Sequence, residues 1–239
     1  KPEIALNFLK IALRFAQQKG DSDQIKSLLN QISTNYQANA QLDSAIFYFK
    51  KNLKWKQLQG DQEGLISDYC ALGNLHKERG DYEIAQEYLI AALRISEEER
   101  DTFSLATIHS EIGDIYLTQQ NWGSAEKHYQ NALQLAQLRN SIFAEAGCRK
   151  KLGKLFAIQN KEEPAVEQYE AALEIYQQLN NKINIADVLF RLSKLYRGEN
   201  QFVKSKALLL EALAVREHSP DKMSTLSIKM ALAEIEIEY

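Results

Sequence analysis

The stretch LGNLHKERGDYEIA, at residues 72–85, holds residue types that a loop built for chemistry would use. Gly73 and Gly80 free the backbone beside Asn74, His76 and a Gly-Asp pair. Glycine-rich loops with polar neighbours are typical of phosphate-binding sites, where backbone N–H groups approach the ligand closely. Taken alone, the stretch is either a candidate site or a structural joint between two elements.

Related stretches recur at a fixed distance of forty residues, and this decides between the two interpretations. They read ISTNYQANAQLDSA at 32–45, IGDIYLTQQNWGSA at 112–125, LGKLFAIQNKEEPA at 152–165 and LSKLYRGENQFVKS at 192–205. No insertion interrupts the register. Self-similarity at such a period indicates one supersecondary unit stacked several times. The stretch is therefore interpreted as a joint.

Columns of matched residues carry the repeat. One column is leucine in every copy: Leu13, Leu53, Leu93, Leu133, Leu173 and Leu213. Beside it stands alanine in every copy but one, which has Asn52. Another column holds small residues: Ser33, Gly73, Gly113, Gly153, Ser193 and Ala233. Three positions later stands a ring: Tyr36, His76, Tyr116, Phe156 and Tyr196. Small residues let two helices approach closely and the rings fill the gaps, so His76 is expected to be a packed core residue.

Each repeat reads as two helices, because its apolar residues recur at three- and four-residue spacing. Gly or Asn, which tolerate the left-handed conformation that ends a helix, often precede a capping Asp, Asn or Ser. These signals predict breaks inside repeats at 80–81, 120–121, 160–161 and 200–201. They predict breaks between repeats at 20–21, 60–61, 100–101, 140–141, 180–181 and 220–221. The alternating run at 234–239 falls in the phase of a first helix and is predicted to be helical.

The columns resemble the tetratricopeptide repeat, which has a large apolar residue followed by a small one, a ring three positions later, an alanine at the start of the second helix and an Ala-Leu pair near its end. Leu72-Gly73, His76, Ala85 and Ala92-Leu93 carry that resemblance, and the copies forty and eighty residues later repeat it. The usual unit has 34 residues, so the chain is similar to the long-helix branch, with Leu-Gly-Asn-repeat scaffolds and sensor domains of bacterial regulators. HEAT repeats have periods near forty but lack these columns.

The resemblance implies an all-α fold, a right-handed superhelical solenoid of antiparallel helix pairs with about 12 helices. A single solenoid over 1–239 is predicted, and it begins and ends in mid-repeat. Its parts are a second helix at 1–20, full repeats at 21–60, 61–100, 101–140, 141–180 and 181–220, and a first helix of a partial or capping repeat at 221–239.

In such solenoids the first helices line the concave surface, where peptides or partner segments bind. The expected stripe, turned away from the second helix, starts with Ser67, Cys70, Asn74 and Lys77 in the repeat at 61–100. Further along the chain the stripe becomes basic. The predicted peptide-binding residues are Asn74, Asp114, Lys150, Lys154, Phe190, Lys194 and Arg197. Asn74 would hold a peptide backbone, the cations would face an acidic group of a protein partner, and a solvated charged face is the alternative.

The remaining observations narrow the function to binding. The net charge of −3 gives no reason to expect nucleic acid, and no run of eighteen apolar residues could span a membrane. Cys70 and Cys148 lack metal-ligand spacing, and His109, His128 and His218 lack the partners of a metal or catalytic set. No cofactor, no metal and no enzymatic activity are expected. We expect a cytoplasmic scaffold or signalling sensor; the alternative is a structural solenoid that oligomerises through its ends, near Leu226, Met230 and Leu232.

Overall fold

The structure, a computed structural model, describes residues 2–216 and 222–238. These residues form twelve helices and no strand: α1 (Pro2–Lys19), α2 (Ser22–Ala38), α3 (Leu42–Gln59), α4 (Gln62–Arg79), α5 (Tyr82–Glu98), α6 (Thr102–Thr118), α7 (Trp122–Leu138), α8 (Ile142–Ile158), α9 (Glu162–Gln178), α10 (Lys182–Gly198), α11 (Phe202–Arg216) and α12 (Lys222–Glu238). The all-α prediction is confirmed. His218 and the predicted break at 220–221 lie outside the described residues.

Ten turns between helices lie in the described residues; they recur every twenty residues, each with one residue at positive φ. The left-handed residues are Gly20, Ala40, Gly60, Gly80, Arg100, Gln120, Asn140, Asn160, Asn180 and Asn200. Several turns end in a capping side chain, as where Asp61 Oδ1 accepts from Gly64 N at 3.1 Å and Asn181 Oδ1 accepts from Asn184 N at 3.1 Å. These local signals confirm the predicted breaks within the described residues.

The chain divides into two compact units, Lys1–Gln119 and Gln120–Tyr239, called here the N-terminal and C-terminal units. The N-terminal unit contains α1 to α6 and the C-terminal unit contains α7 to α12. The division falls at the turn inside the predicted repeat at 101–140. Each unit has an apolar core of its own.

Small residues let paired helices close on each other in both units. A Cβ added to Gly73 in α4 would stand 2.7 Å from Leu89 Cγ in α5. In the C-terminal unit, a Cβ added to Gly153 in α8 would stand 2.8 Å from Tyr169 Cδ1 in α9. Leu89 and Tyr169 are buried, so the large side chain of the second helix fills the notch that the glycine leaves. This is the contact that the column pattern predicts.

The joint at residues 72–85 joins α4 to α5. His76 is buried and stacks on Tyr88, with ring centroids 5.4 Å apart. Its Nδ1 lies 3.0 Å from Asp81 Oδ2 at the start of α5. The histidine is therefore a packed core residue, as the ring column predicts.

The exception in the alanine column, Asn52, belongs to a buried polar cluster where α3 meets α4. Asn52 Nδ2 donates to Asp68 Oδ1 at 3.2 Å, and Lys56 Nζ lies 2.9 Å from the same oxygen. Lys56 also donates to the Gly64 carbonyl at 3.0 Å. Burial raises the pKa of the Asp68 carboxyl, and the Lys56 ammonium opposes that shift. A buried charge is tolerated only when it is paired in this way.

Candidate functional site

The predicted stripe lies on the first helices, α2, α4 and α6 in the N-terminal unit and α8, α10 and α12 in the C-terminal unit, with a space between each neighbouring pair. We call each space an interval and name it by its two helices. Within the units these are α2–α4, α4–α6, α8–α10 and α10–α12. They differ in whether a side chain of the protein spans them.

The α4–α6 interval is an open groove with a cavity of about 640 Å³. Both helices and the turn before α6 contribute to it. Its lining residues are Glu63, Ile66, Ser67, Cys70, Glu99, Asp101, Phe103, Ser104 and Thr107. Ser67 and Cys70 belong to the predicted stripe, so this part of the stripe does line a groove.

The floor of this groove is apolar and uncharged. Ile66 is buried, and Phe103 on the opposite wall is 65% exposed. Burial raises the pKa of the Cys70 thiol to about 12, with the charges of Glu111 and Asp101 adding to the shift. The thiol is therefore neutral near pH 7 and a poor nucleophile, so Cys70 serves as a small surface of the groove.

The rim of the groove is acidic. Glu63, Glu99 and Asp101 supply carboxylates, and no Lys, Arg or His is among the described residues that line the cavity. Asp101 also caps α6, accepting from Phe103 N and Ser104 N at 3.1 Å each. Glu63 and Glu99 are exposed, and neither forms a salt bridge with a residue that the structure describes. The sequence stripe did not include these rim residues, because they lie at helix starts and in the turn.

Asn74 lies one turn beyond Cys70 on α4 and Asp114 lies two turns beyond Thr107 on α6, so neither of these predicted residues lines the cavity. Asn74 is half-buried, and its Oδ1 has no hydrogen-bond donor in the described part of the chain. Lys77 pairs with Glu111, and its Nζ lies 3.9 Å from Asp114 Oδ2. Asp114 is thus held against a lysine, whereas the buried amide oxygen of Asn74 has no donor among the described residues.

In the α8–α10 interval an ammonium spans the space between the helices. Lys150 Nζ donates to Asn184 Oδ1 at 2.8 Å and lies 3.0 Å from Asp187 Oδ2. Burial alone would raise the pKa of Asp187, but Arg191 and Lys150 outweigh it and hold that pKa below its usual value. Lys150 occupies the repeat position of Cys70, eighty residues later. Lys150, which stands where the earlier repeat has Cys70, is therefore the side chain that bridges α8 and α10.

The other predicted cations of the C-terminal unit divide into paired and unpaired groups. Arg197 pairs with Glu234 of α12. Lys154 and Lys194 are exposed, and neither forms a salt bridge with a residue in 2–216 or 222–238. Lys194 Nζ stands 4.6 Å from the centroid of the Phe190 ring. Phe190 also lines a cavity of about 150 Å³ in the α10–α12 interval.

The described residues hold no cluster of three or more His, Cys, Asp or Glu side chains placed to bind a metal ion. None of the helices there combines the length and apolar character that a membrane span requires.

Comparison with known proteins supports the repeat pattern. A family model described as tetratricopeptide repeat matches residues 65–137 and 104–178, which together span 65–178. No curated protein sequence matches the chain. The family match covers α4 from Leu65 onward, all of α6, and the α8 helix that carries Lys150 and Lys154.

Solved structures extend the fold likeness to nearly the whole chain. BtubC (BKLC) from P. vanneervenii is 21% identical, with a TM-score of 0.80 and 91% of each chain covered. A signal transduction ATPase with a tetratricopeptide repeat sensor, from Pyrococcus horikoshii, is 20% identical (TM-score 0.76), covering 96% of this chain and 38% of that one. Aspartyl phosphate phosphatase F from Bacillus subtilis is 15% identical (TM-score 0.82), covering 93% and 59%. At these identities the likeness shows the fold alone.

Proposed function

The chain belongs to the tetratricopeptide-repeat family, and from this premise we propose that it is a protein-binding module that holds an extended segment of a partner in the α4–α6 groove. One observation carries the proposal: the groove is an open cavity of about 640 Å³ between two first helices, with the half-buried Asn74 amide beside it. A buried acceptor without a donor costs about 1–3 kcal/mol. If the Asn74 side chain turns toward the groove when a peptide binds, a backbone N–H of the peptide removes that cost.

A groove-blocking variant tests this function. Wild-type chain is used to select binders from a random-peptide display library, and the enriched peptides are titrated against Thr107→Trp. Thr107 is exposed on α6 and lines the groove, so the indole should fill the space and weaken binding. Glu87→Trp is the matched control, because Glu87 is exposed on the second helix α5 and lies outside the groove lining. If no peptide is enriched, or if both variants bind equally well, the proposal is wrong.

On the C-terminal unit, we propose that Lys154 and Lys194 contact an acidic group of a partner, with Phe190 as an apolar neighbour. The support is their exposure without salt bridges to described residues, in contrast to Lys150 and Arg197, which are paired. Lys154→Glu together with Lys194→Glu should weaken binding of the native partner and change its salt dependence. Unchanged affinity and unchanged salt dependence would contradict this assignment.

The cellular role that fits these surfaces is that of a scaffold or the sensing arm of a signalling protein, and we propose binding, with no catalysis. The Pyrococcus ATPase carries a tetratricopeptide repeat sensor of similar fold, which supports a sensing role. Cys70 and Cys148 form no disulfide bond within the described residues, which fits a reducing compartment such as the cytoplasm.

A second candidate function, self-association, is favoured by exposed apolar residues on the first and last helices. Ile4, Phe8, Ile11 and Phe15 are 49–68% exposed on α1, and Leu226 and Met230 are at least half exposed on α12. Exposed apolar faces of this kind mark interaction surfaces. Light scattering over a range of concentrations tests the idea: association should disappear in Phe8→Glu/Phe15→Glu, and a monomer at every concentration would contradict it.

A further inference from the structure

We propose that the α4–α6 groove selects a cationic segment, in which a Lys or Arg side chain lies between the carboxylates of the rim and an adjacent apolar side chain packs on the floor. This inference rests on the proposed function and names the chemistry of its ligand. The proposed ligand is positively charged, whereas the group proposed to bind at Lys154 and Lys194 is acidic. Three sets of observations carry it.

The first is the charge of the groove. Its described lining residues include three carboxylates and no cation. Two of them, Glu63 and Glu99, are exposed and lie without a salt bridge to any described residue. Carboxylates on the rim of a groove attract a cationic ligand and repel an anionic one.

The second is the α2–α4 interval of the same unit, where the protein supplies the cation itself. Lys26 Nζ of α2 lies 2.6 Å from Asp61 Oδ2, at the start of α4. The side-chain contact with Lys26 is the main cause of the lowered pKa of Asp61. Forty residues later, Ile66 stands in place of Lys26 and Asp101 in place of Asp61. The acidic helix start is therefore kept in the groove, and the lysine is replaced by an apolar residue.

The third is the α8–α10 interval, where Lys150 reaches across to α10 from the repeat position of Cys70. Its acceptors Asn184 and Asp187 stand eighty residues after Ser104 and Thr107, both of which line the groove. An ammonium in such an interval thus finds acceptors on the next first helix. In the α4–α6 groove both of the corresponding lysine positions hold uncharged residues, so a ligand has the space and the acceptors to supply the cation.

The apolar part of the ligand follows from the groove walls. Ile66 is buried at the floor, and Phe103 presents a ring that is 65% exposed. A ring so placed can pack against an aliphatic side chain or take a guanidinium over its face. The favoured motif is therefore a Lys or Arg beside an apolar residue in an extended segment.

The test is the composition of the peptides that a random-peptide display library yields on the wild-type chain. Peptides that lose binding to Thr107→Trp should be enriched in Lys or Arg adjacent to an apolar residue. A synthetic copy of the strongest binder is then titrated with Glu63→Lys/Glu99→Lys. Two attractive contacts become repulsive there, so affinity should fall about ten- to thirtyfold, and its dependence on salt should weaken or reverse.

The matched control is Glu83→Lys/Glu87→Lys, which makes the same charge change on exposed residues of α5 outside the groove lining. Its affinity should stay within about threefold of wild type, because exposed charges away from the ligand are screened. Circular dichroism of both variants verifies the fold; since both changes lie on exposed residues, loss of binding with retained helicity reports on the groove.

The outcomes separate this inference from the proposed function. Groove-dependent peptides that are acidic or neutral would overturn the cationic ligand and leave peptide binding in place. Equal affinity of the groove and control charge variants would overturn it as well. Failure to enrich any groove-dependent peptide would overturn both proposals. Both would also be overturned if a second copy of the chain bound in the groove and no peptide did.

Discussion

The α4–α6 groove and the α8–α10 interval occupy equivalent places in the repeat, yet one is open and the other is spanned by a side chain. Cys70 leaves the first as a cavity of about 640 Å³, whereas Lys150 reaches Asn184 and Asp187 across the second. The helix contacts behind them are alike, because Gly73 and Gly153 receive Leu89 and Tyr169 in the same manner. Core columns thus set the spacing of the helices, while the residue at the position of Cys70 and Lys150 distinguishes the open groove from the bridged interval.

The largest effect on stability is expected at the buried ion pair between Lys56 and Asp68. Here, as in the α8–α10 interval, a lysine of the protein pairs with one of its own carboxylates, but both side chains are buried. Lys56 and Asp68 are both at most 2% exposed. Lys56→Met would leave the Asp68 carboxylate without its ion-pair partner, at a cost of about 3–5 kcal/mol in the free energy of unfolding. Urea denaturation measures this cost.

The double variant Lys56→Met/Asp68→Leu is the control for that change. Replacing both members of a buried pair with apolar residues removes the unpaired charge, so most of the lost stability should return. If the double variant is no more stable than the single one, the loss comes from packing of the lysine stem or from the lost hydrogen bonds to Gly64 and from Asn52, and not from the uncompensated carboxylate.

Closing the groove with a lysine is the most direct test of the difference between the α4–α6 groove and the α8–α10 interval. Cys70→Lys places in α4 the residue that α8 has at the equivalent position. The ammonium should extend toward Ser104 and the acidic rim and compete with any ligand, so affinity for groove-selected peptides should fall by at least about tenfold. Calorimetric titration measures the affinity, and Cys70→Ser, which keeps the position small and neutral, should bind like wild type. Equal binding by the two variants would contradict the comparison.

The features that the sequence predicted are those written in local signals or in fixed columns. A left-handed residue every twenty positions, followed by a cap, fixed the helix ends, and the small column predicted the notch that Leu89 fills. These follow from backbone conformation and side-chain volume, which act over a few residues or in a constant register. Even Arg100 and Gln120, which are poor left-handed residues, adopt positive φ, because the register of the flanking helices requires the turn.

The features that the sequence did not predict are pairings between neighbouring first helices. The stripe at Lys150, Lys154, Lys194 and Arg197 was read as basic, but Asp187 and Glu234 lie opposite two of these cations. Each acid stands 37 residues after its partner, three short of the period, so comparison by columns of forty does not align them. The acidic rim was missed for a related reason, since Glu99 and Asp101 lie in a turn that the stripe did not include.

A smaller effect on stability, with a pH dependence, is expected where the α8–α10 interval is bridged. Asp187 contacts Lys150 and Arg191, and its side chain is 29% exposed. Asp187→Asn should cost about 1–2 kcal/mol. Because the folded-state pKa of Asp187 is lowered, its stabilising contribution is present above the ordinary value of 3.8 and is lost as the pH falls through the lower folded value. Unfolding curves of wild type and variant should therefore differ at neutral pH and converge below pH 3.8, and a difference that persists in acid would contradict the electrostatic explanation.

The smallest effect sharpens the comparison at the edge of the open groove. Asn74 has no equivalent amide in the C-terminal unit, where its column holds Lys154, Lys194 and Glu234. Asn74→Ala removes the oxygen that lacks a donor, so the free chain should be as stable as wild type or slightly more stable. Peptide affinity should nevertheless fall about three- to tenfold, which corresponds to one hydrogen bond of about 0.5–1.5 kcal/mol. Thermal unfolding and calorimetric titration on the same sample separate the two quantities. If stability falls while affinity is unchanged, Asn74 is a packing residue of α4 and does not contact the ligand.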